Sequence, residues 1–207
     1  MTRSAKKVRK AAVRPGRGAG PGLRRRILDA ARSQLILHGY ADFSMRSIAA
    51  RVGVSATSIY LYFDGKDTLV HGLIDEGMES LHEALLRADD PSAEPVARLE
   101  RLCRAYLDFG DANPEYYEIM FLLHPARMAR YPAEKYRRAR RNLEIFAAAL
   151  NPLCPPGADL RLTSHALWCL LHGAVSLRIS GRMDSHLEPA RLTTETVRCA
   201  LRMVSAA

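Results

Sequence analysis

From Leu23 onward, apolar side chains return at intervals of three and four residues, and no run alternates apolar with polar in the period of a strand. Glycine or proline interrupts the pattern roughly every 10 to 20 residues. Apolar positions at this spacing fall on one face of a helix, whereas a sheet face needs every second residue. One fold class is therefore open to the chain: all-α, in about nine helices. Its 207 residues are 48% apolar and 26% charged, an ordinary globular balance with room for one large domain or two small ones.

Charge divides the chain. The net charge is +9, yet residues 1–66 alone hold 14 basic and 3 acidic side chains, and the remainder holds 17 and 19. A polyanion partner is expected at the front end only. Residues 1–21 contain Arg3, Lys6, Lys7, Arg9, Lys10, Arg14 and Arg17, no acid, and a close run of Pro and Gly. Such a segment buries too little apolar surface to offset its conformational entropy, so a disordered basic arm is predicted there. It adds salt-dependent affinity for any duplex, and entry into a minor groove stays open.

A head over 22–67 and a body over 68–207 follow the arm. A first helix is predicted from Leu23 to Leu37, with a stop at His38-Gly39. Arg24, Arg25 and Arg26 crowd its first turn, where cations oppose the helix dipole and a phosphate backbone would relieve them. Ser44 is a predicted N-cap for Met45–Val52. Gly53 takes the positive φ of a tight turn, and Ser55 caps a helix over Ala56–Phe63. Two short helices about such a turn are a helix-turn-helix, with Ile48, Ile59 and Phe63 inward.

The string Ser44-x-x-x-Ile48-Ala49-x-x-x-Gly53-Val54-Ser55-x-x-x-x-Tyr60-x-x-Phe63-x-x-Lys66-x-x-Leu69 resembles the DNA-binding signature of the TetR family of bacterial transcriptional regulators. Ser44 stands where the family often has Thr, and Gly65 where it often has a Ser or Thr cap. The resemblance implies phosphate contacts at Tyr60 and Lys66, with Ser44 and Arg46 clamping the other side. Groove-facing positions would then be Ala56, Thr57, Ser58, Leu61 and Tyr62, whose methyls and hydroxyls suit thymine and base edges. With no Arg, Asn or Gln on that helix, bidentate reading of G or A by it is not expected.

In the body, a long helix over Asp67–Ala88 should turn Leu69, Leu73, Ile74, Met78, Leu81 and Leu85 inward. Helices follow with Leu99, Cys103 and Tyr106, then from the Asn113-Pro114-Glu115 start to a stop at His124-Pro125, then from Pro132 with Leu143, Phe146 and Leu150 inward. Arg137, Arg138, Arg140 and Arg141 read as a solvated face. Asp159–Ile179 is apolar nearly all round, which calls for cover from two directions, its own core and a second subunit. With the last helix, from Leu192 to Val204, it would build a four-helix homodimer interface, and twofold symmetry then implies a pseudo-palindromic operator on double-stranded DNA.

Leu167-Trp168-x-x-x-His172-Gly173, with Asn113-Pro114-x-x-Tyr117-x-x-Met120-Phe121 upstream, resembles the WHG type of C-terminal domain in that family. It implies a helical regulatory and dimerisation domain. Tyr106, Phe109, Tyr117, Met120, Phe121, Trp168 and His172 are candidates for the pocket of a small, mostly apolar effector, since aromatics and Met with one polar group suit such a molecule.

His165, Cys169 and His172 share one helical stripe, but three ligands in a line do not surround an ion, so no metal and no cofactor are expected. Cys103, Cys154, Cys169 and Cys199 show no paired spacing and read as reduced thiols. No Gly-rich phosphate loop, H-E-x-x-H or G-x-S-x-G occurs, which argues against an enzyme. The richest apolar run, Ala166–Leu177, is too short to span a membrane, and no apolar segment follows the basic N-terminus as in a signal peptide, so a bacterial cytosolic location is expected. The expected function is a dimeric repressor released by an effector. The rival is an effector-independent DNA binder or architectural protein with a filled core.

Overall fold

The computed structural model describes residues 22–123, 128–184 and 186–205, the side chains of 136–139 and 205 excepted. The arm expected over 1–21, the stop at His124-Pro125 and the side chains of Arg137 and Arg138 lie outside the described residues. The chain is all-helical: α1 (Leu23–Asp42), α2 (Met45–Val52), α3 (Ala56–Tyr60), α4 (Lys66–Ala88), α5 (Pro95–Ala112), α6 (Pro114–Tyr117), α7 (Ala133–Leu150), α8 (Leu160–Ile179) and α9 (Pro189–Ser205). A π turn over Glu118–Leu122 extends α6, and a 3-10 turn over Asn151–Leu153 follows α7. Two compact units result, one ending at Lys66 and the other beginning at Asp67.

The first unit is built by local signals. Gly39, at φ 69° and ψ 175°, breaks the last turns of α1 where the glycine stop was expected, and a further turn reaches Asp42. Ser44 Oγ accepts from the Ser47 amide at 3.2 Å, and Ser55 Oγ from the Ser58 amide at 3.1 Å, so both predicted caps hold their helix starts. Gly53 sits at φ 76° and ψ 36°, where its amide closes on the carbonyls of Ala49 and Ala50. Ile27, Ala31, Ile48, Ile59 and Phe63 form the buried interior. α3 is shorter than predicted. After Tyr60 the chain leaves the helix, and Tyr62 and Phe63 both donate to the Ile59 carbonyl.

In the second unit, Leu85, Leu99, Leu102, Tyr106, Leu107, Tyr117, Leu150, Leu171 and Val175 make one continuous core. α7 packs along α8, and α9 lies on both α5 and α8. Arg98 on α5 grips both carboxylate oxygens of Asp89, at 2.6 and 3.0 Å, and fixes the α4–α5 corner. The helix that starts at Pro114 does not end in α geometry: the Leu123 amide reaches the Glu118 carbonyl five residues back. Asn113 donates from Nδ2 to the Phe109 carbonyl instead of capping α6. α8 buries Ser164, Leu167, Leu171 and Val175 in this core and leaves Leu162 68% exposed and Leu177 45% exposed. Among the described residues no helix is long and apolar enough to cross a membrane.

Candidate nucleic-acid interface and internal cavity

The caps and the Gly53 turn hold α3 with Ile59 wholly buried beneath it. The opposite side of the same helix is therefore outward. Thr57 is exposed, Tyr60 is 50% and Leu61 55% exposed, and Ala56, Ser58 and Tyr62 are half-buried. Tyr60 is thus no core aromatic. Ser55 and Ser58 hydroxyls lie 2.9 Å apart. Ser44 and Arg46 are exposed at the start of α2, where Ser47 Oγ donates to Gln34 on α1 at 2.7 Å.

The three arginines of α1 have different surroundings. Arg25 is open to solvent, with Asp29 at 4.0 Å. Arg24 lies over the Phe63 ring at 5.4 Å. Arg26 is exposed as a residue, yet it donates to the Val52 carbonyl at 2.5 Å, which ties α1 to the end of α2. No acidic residue occupies this first turn. Lys66 is likewise engaged within the head: its ammonium donates to the Tyr40 carbonyl and sits 3.9 Å over the Tyr40 ring. The sequence pattern marks both residues as basic, but these contacts, each 26 residues away, carry no local signal.

The second unit contains a cavity of about 340 Å³. Five of the seven candidate residues line it: Tyr106, Met120, Phe121, Trp168 and His172. Tyr117 is wholly buried and Phe109 5% exposed, and neither is on the wall. Met78, Leu81 and Leu85 from α4 and Leu143 and Phe146 from α7 complete the apolar side, with Arg140, Asn142 and His165 the polar groups also on the lining. Periodicity marks most of these as inward-facing, but a helical stripe does not distinguish a cavity wall from filled core.

A relay of hydrogen bonds backs that wall. Trp168 Nε1 donates to the Tyr106 hydroxyl at 2.8 Å. The Tyr106 and Tyr117 hydroxyls are 2.9 Å apart, Tyr117 is 2.7 Å from His172 Nδ1, and His172 Nε2 is 3.2 Å from Ser176 Oγ. Because Trp only donates, one direction satisfies every group: Tyr106 donates to Tyr117, Tyr117 to Nδ1, and His172 from Nε2 to Ser176. Burial pushes both phenols above their ordinary range, which keeps them protonated, and pushes His172 down, which favours the neutral ring this direction requires. Asn142, buried, accepts from His82 Nδ1 at 2.8 Å.

Among the described residues no group of three or more His, Cys, Asp or Glu could hold a metal ion. In the His165, Cys169, His172 stripe, His165 Nδ1 binds the Arg161 carbonyl at 2.7 Å and the His172 nitrogens serve the relay.

Residues 27–73 match the family described as bacterial regulatory proteins, tetR family, and residues 99–200 match the tetracyclin repressor-like C-terminal domain. The HTH-type transcriptional repressor LfrR of Mycolicibacterium smegmatis is 27% identical over 182 residues, covering 86% of this chain and 91% of that relative. The HTH-type transcriptional regulator BetI of Agrobacterium fabrum is 27% identical over 160 residues, 73% of this chain and 75% of that one. Of solved structures, a tetR-family regulatory protein from Rhodococcus RHA1 superposes with a TM-score of 0.72 at 21% identity, covering 91% of this chain and all of that one. The TetR family regulator PfmR of Thermus thermophilus does so at 0.62 and 19% identity, covering 87% and 94%.

Proposed function

Because the chain belongs to the TetR family of bacterial DNA-binding transcriptional regulators, we propose that it is a homodimeric repressor released from a pseudo-palindromic operator by a small molecule held in the second unit. The repressor name of one relative supports the sign of regulation. The outward row of Thr57, Tyr60 and Leu61 supports α3 as the groove-reading helix, with phosphates met by Arg25, Arg46 and Tyr60. Lys66 would exchange one contact with Tyr40 for a phosphate. Leu162 and Leu177 on α8 and Met203 on α9, exposed in the single chain, support burial against a second copy.

The observation that carries effector control over a filled core is the cavity, whose roughly 340 Å³ falls within the range of ligand sites. α4 lends it Met78, Leu81 and Leu85 and begins at Lys66, so a ligand that moves this helix acts on the element that leads out of the head. The test is a gel shift on duplex DNA from upstream of the chain's own reading frame. Sequence-specific retention at two half-sites, lost on adding a compound that raises the melting temperature, is expected. Folded protein that prefers no sequence would overturn the reading.

A further inference from the structure

None of the thirteen described residues lining the cavity is acidic. One carries a permanent charge, Arg140 on α7, which is exposed and makes no ion pair or hydrogen bond with any described residue. A second cleft of about 290 Å³ shares Arg140, Leu143 and His165 with the cavity and adds Arg161, whose guanidinium likewise makes no ion pair with any described residue. Its one acid, Glu144, offsets only one of the two arginines. His165 spends Nδ1 on the Arg161 carbonyl.

This polarity separates three classes of guest. A cation seated among Leu81, Leu85 and Phe146 would be desolvated with no counter-charge on the wall. A neutral apolar molecule fills the space but draws nothing from Arg140. A carboxylate at the exposed end keeps part of its hydration and meets a guanidinium shaped to bind it bidentately. We propose that the cavity selects an amphiphile with one carboxylate, the aliphatic chain against Leu81, Leu85 and Phe146 and the carboxylate at Arg140. The assignment rests on the effector reading above and names the class of that ligand.

Trp168, the chain's single tryptophan, lines the cavity and reports directly. Its emission is followed during titration with decanoate, 1-decanol and decyltrimethylammonium below their aggregation limits, with the gel shift repeated for each. Decanoate is expected to bind about ten- to a hundredfold more tightly than decanol, as a charge-assisted hydrogen bond implies. Arg140→Gln should bring decanoate near the level of decanol while weakening decanol far less, and Arg140→Lys should keep most of the preference. Decanol or the cation matching decanoate, a preference that survives Arg140→Gln, or no binding by any of the three would overturn the assignment. Should decanol or the cation bind and release DNA, effector control stands and the carboxylate falls. Should decanoate bind through Arg140 and leave the DNA complex intact, the site stands and effector control falls.

Discussion

A Cβ on Gly77 of α4 would stand 2.4 Å from the Sδ and 2.8 Å from the Cγ of Met120 on the π turn. The two helical segments touch backbone to side chain, and Met120 is at once core and cavity wall. Gly77→Ala gains about 1 kcal/mol of helix propensity, and a methionine yields to the intruding methyl more readily than a branched residue would. The melting temperature should therefore change little, while Met120 is driven toward the cavity and decanoate binding weakens. Unchanged binding would show that Met120 has another way out.

Gly110 on α5 has the opposite neighbour. A Cβ there would lie 2.4 and 2.9 Å from the two methyls of Val175, which is wholly buried on α8. A β-branched side chain with one favoured rotamer has nowhere to turn. Gly110→Ala should destabilise by about 1–3 kcal/mol or more, seen as a drop of several degrees in thermal melts. Adding Val175→Ala should recover part of the loss, and a double variant no better than additive would contradict the contact.

The relay from Trp168 to Ser176 makes a pH prediction. Burial holds the His172 pKa below its ordinary 6.5, so the unfolded chain takes up the proton first as pH falls. The neutral ring's contribution is complete above about 6.5 and shrinks from there down through the native pKa. Chemical denaturation across that window should show stability declining with acid, and His172→Gln should flatten the decline. Tyr117→Phe strips Tyr106 of its acceptor and His172 of its donor, a loss of about 1–3 kcal/mol.

Burial also pushes the Cys103 thiol up to about 12, with Glu100 adding and Arg104 opposing. Cys169 is exposed, and Cys154 and Cys199 are half-buried. A thiol reagent near pH 8, where an ordinary cysteine is partly thiolate, should label Cys103 only on unfolding. Prompt labelling of Cys103 in the native chain would mean that α5 opens locally.

How far these relationships are legible in the sequence depends on their reach along the chain. The caps at Ser44 and Ser55 and the turn at Gly53 each close within about four residues, and the residue types that do so announce themselves. The meeting of Trp168 with Tyr106 spans 62 residues, and only tertiary packing decides it. Spacing rightly marks Leu81, Leu85 and Phe146 as inward, but it is blind to whether the space before them is filled. The π turn after Tyr117 has no residue-type signature, and its sequence reads as plain helix.

Arg25 and Arg26 are adjacent in sequence and differ in what removing them should do. Arg25 is 80% exposed at its side chain, while Arg26 donates to the Val52 carbonyl and joins α1 to α2. If Arg25 meets a phosphate, Arg25→Gln should weaken binding to all duplexes alike and lower the salt slope by about 0.9, with head stability unchanged. Arg26→Gln should cost the head about 1–3 kcal/mol through the lost hydrogen bond and move the slope less. The two effects are separated by reading each variant's melting curve beside its affinity at several salt concentrations. Equal slope changes in both variants would mean that Arg26 leaves Val52 when DNA binds, and that the tie between α1 and α2 is broken in the complex.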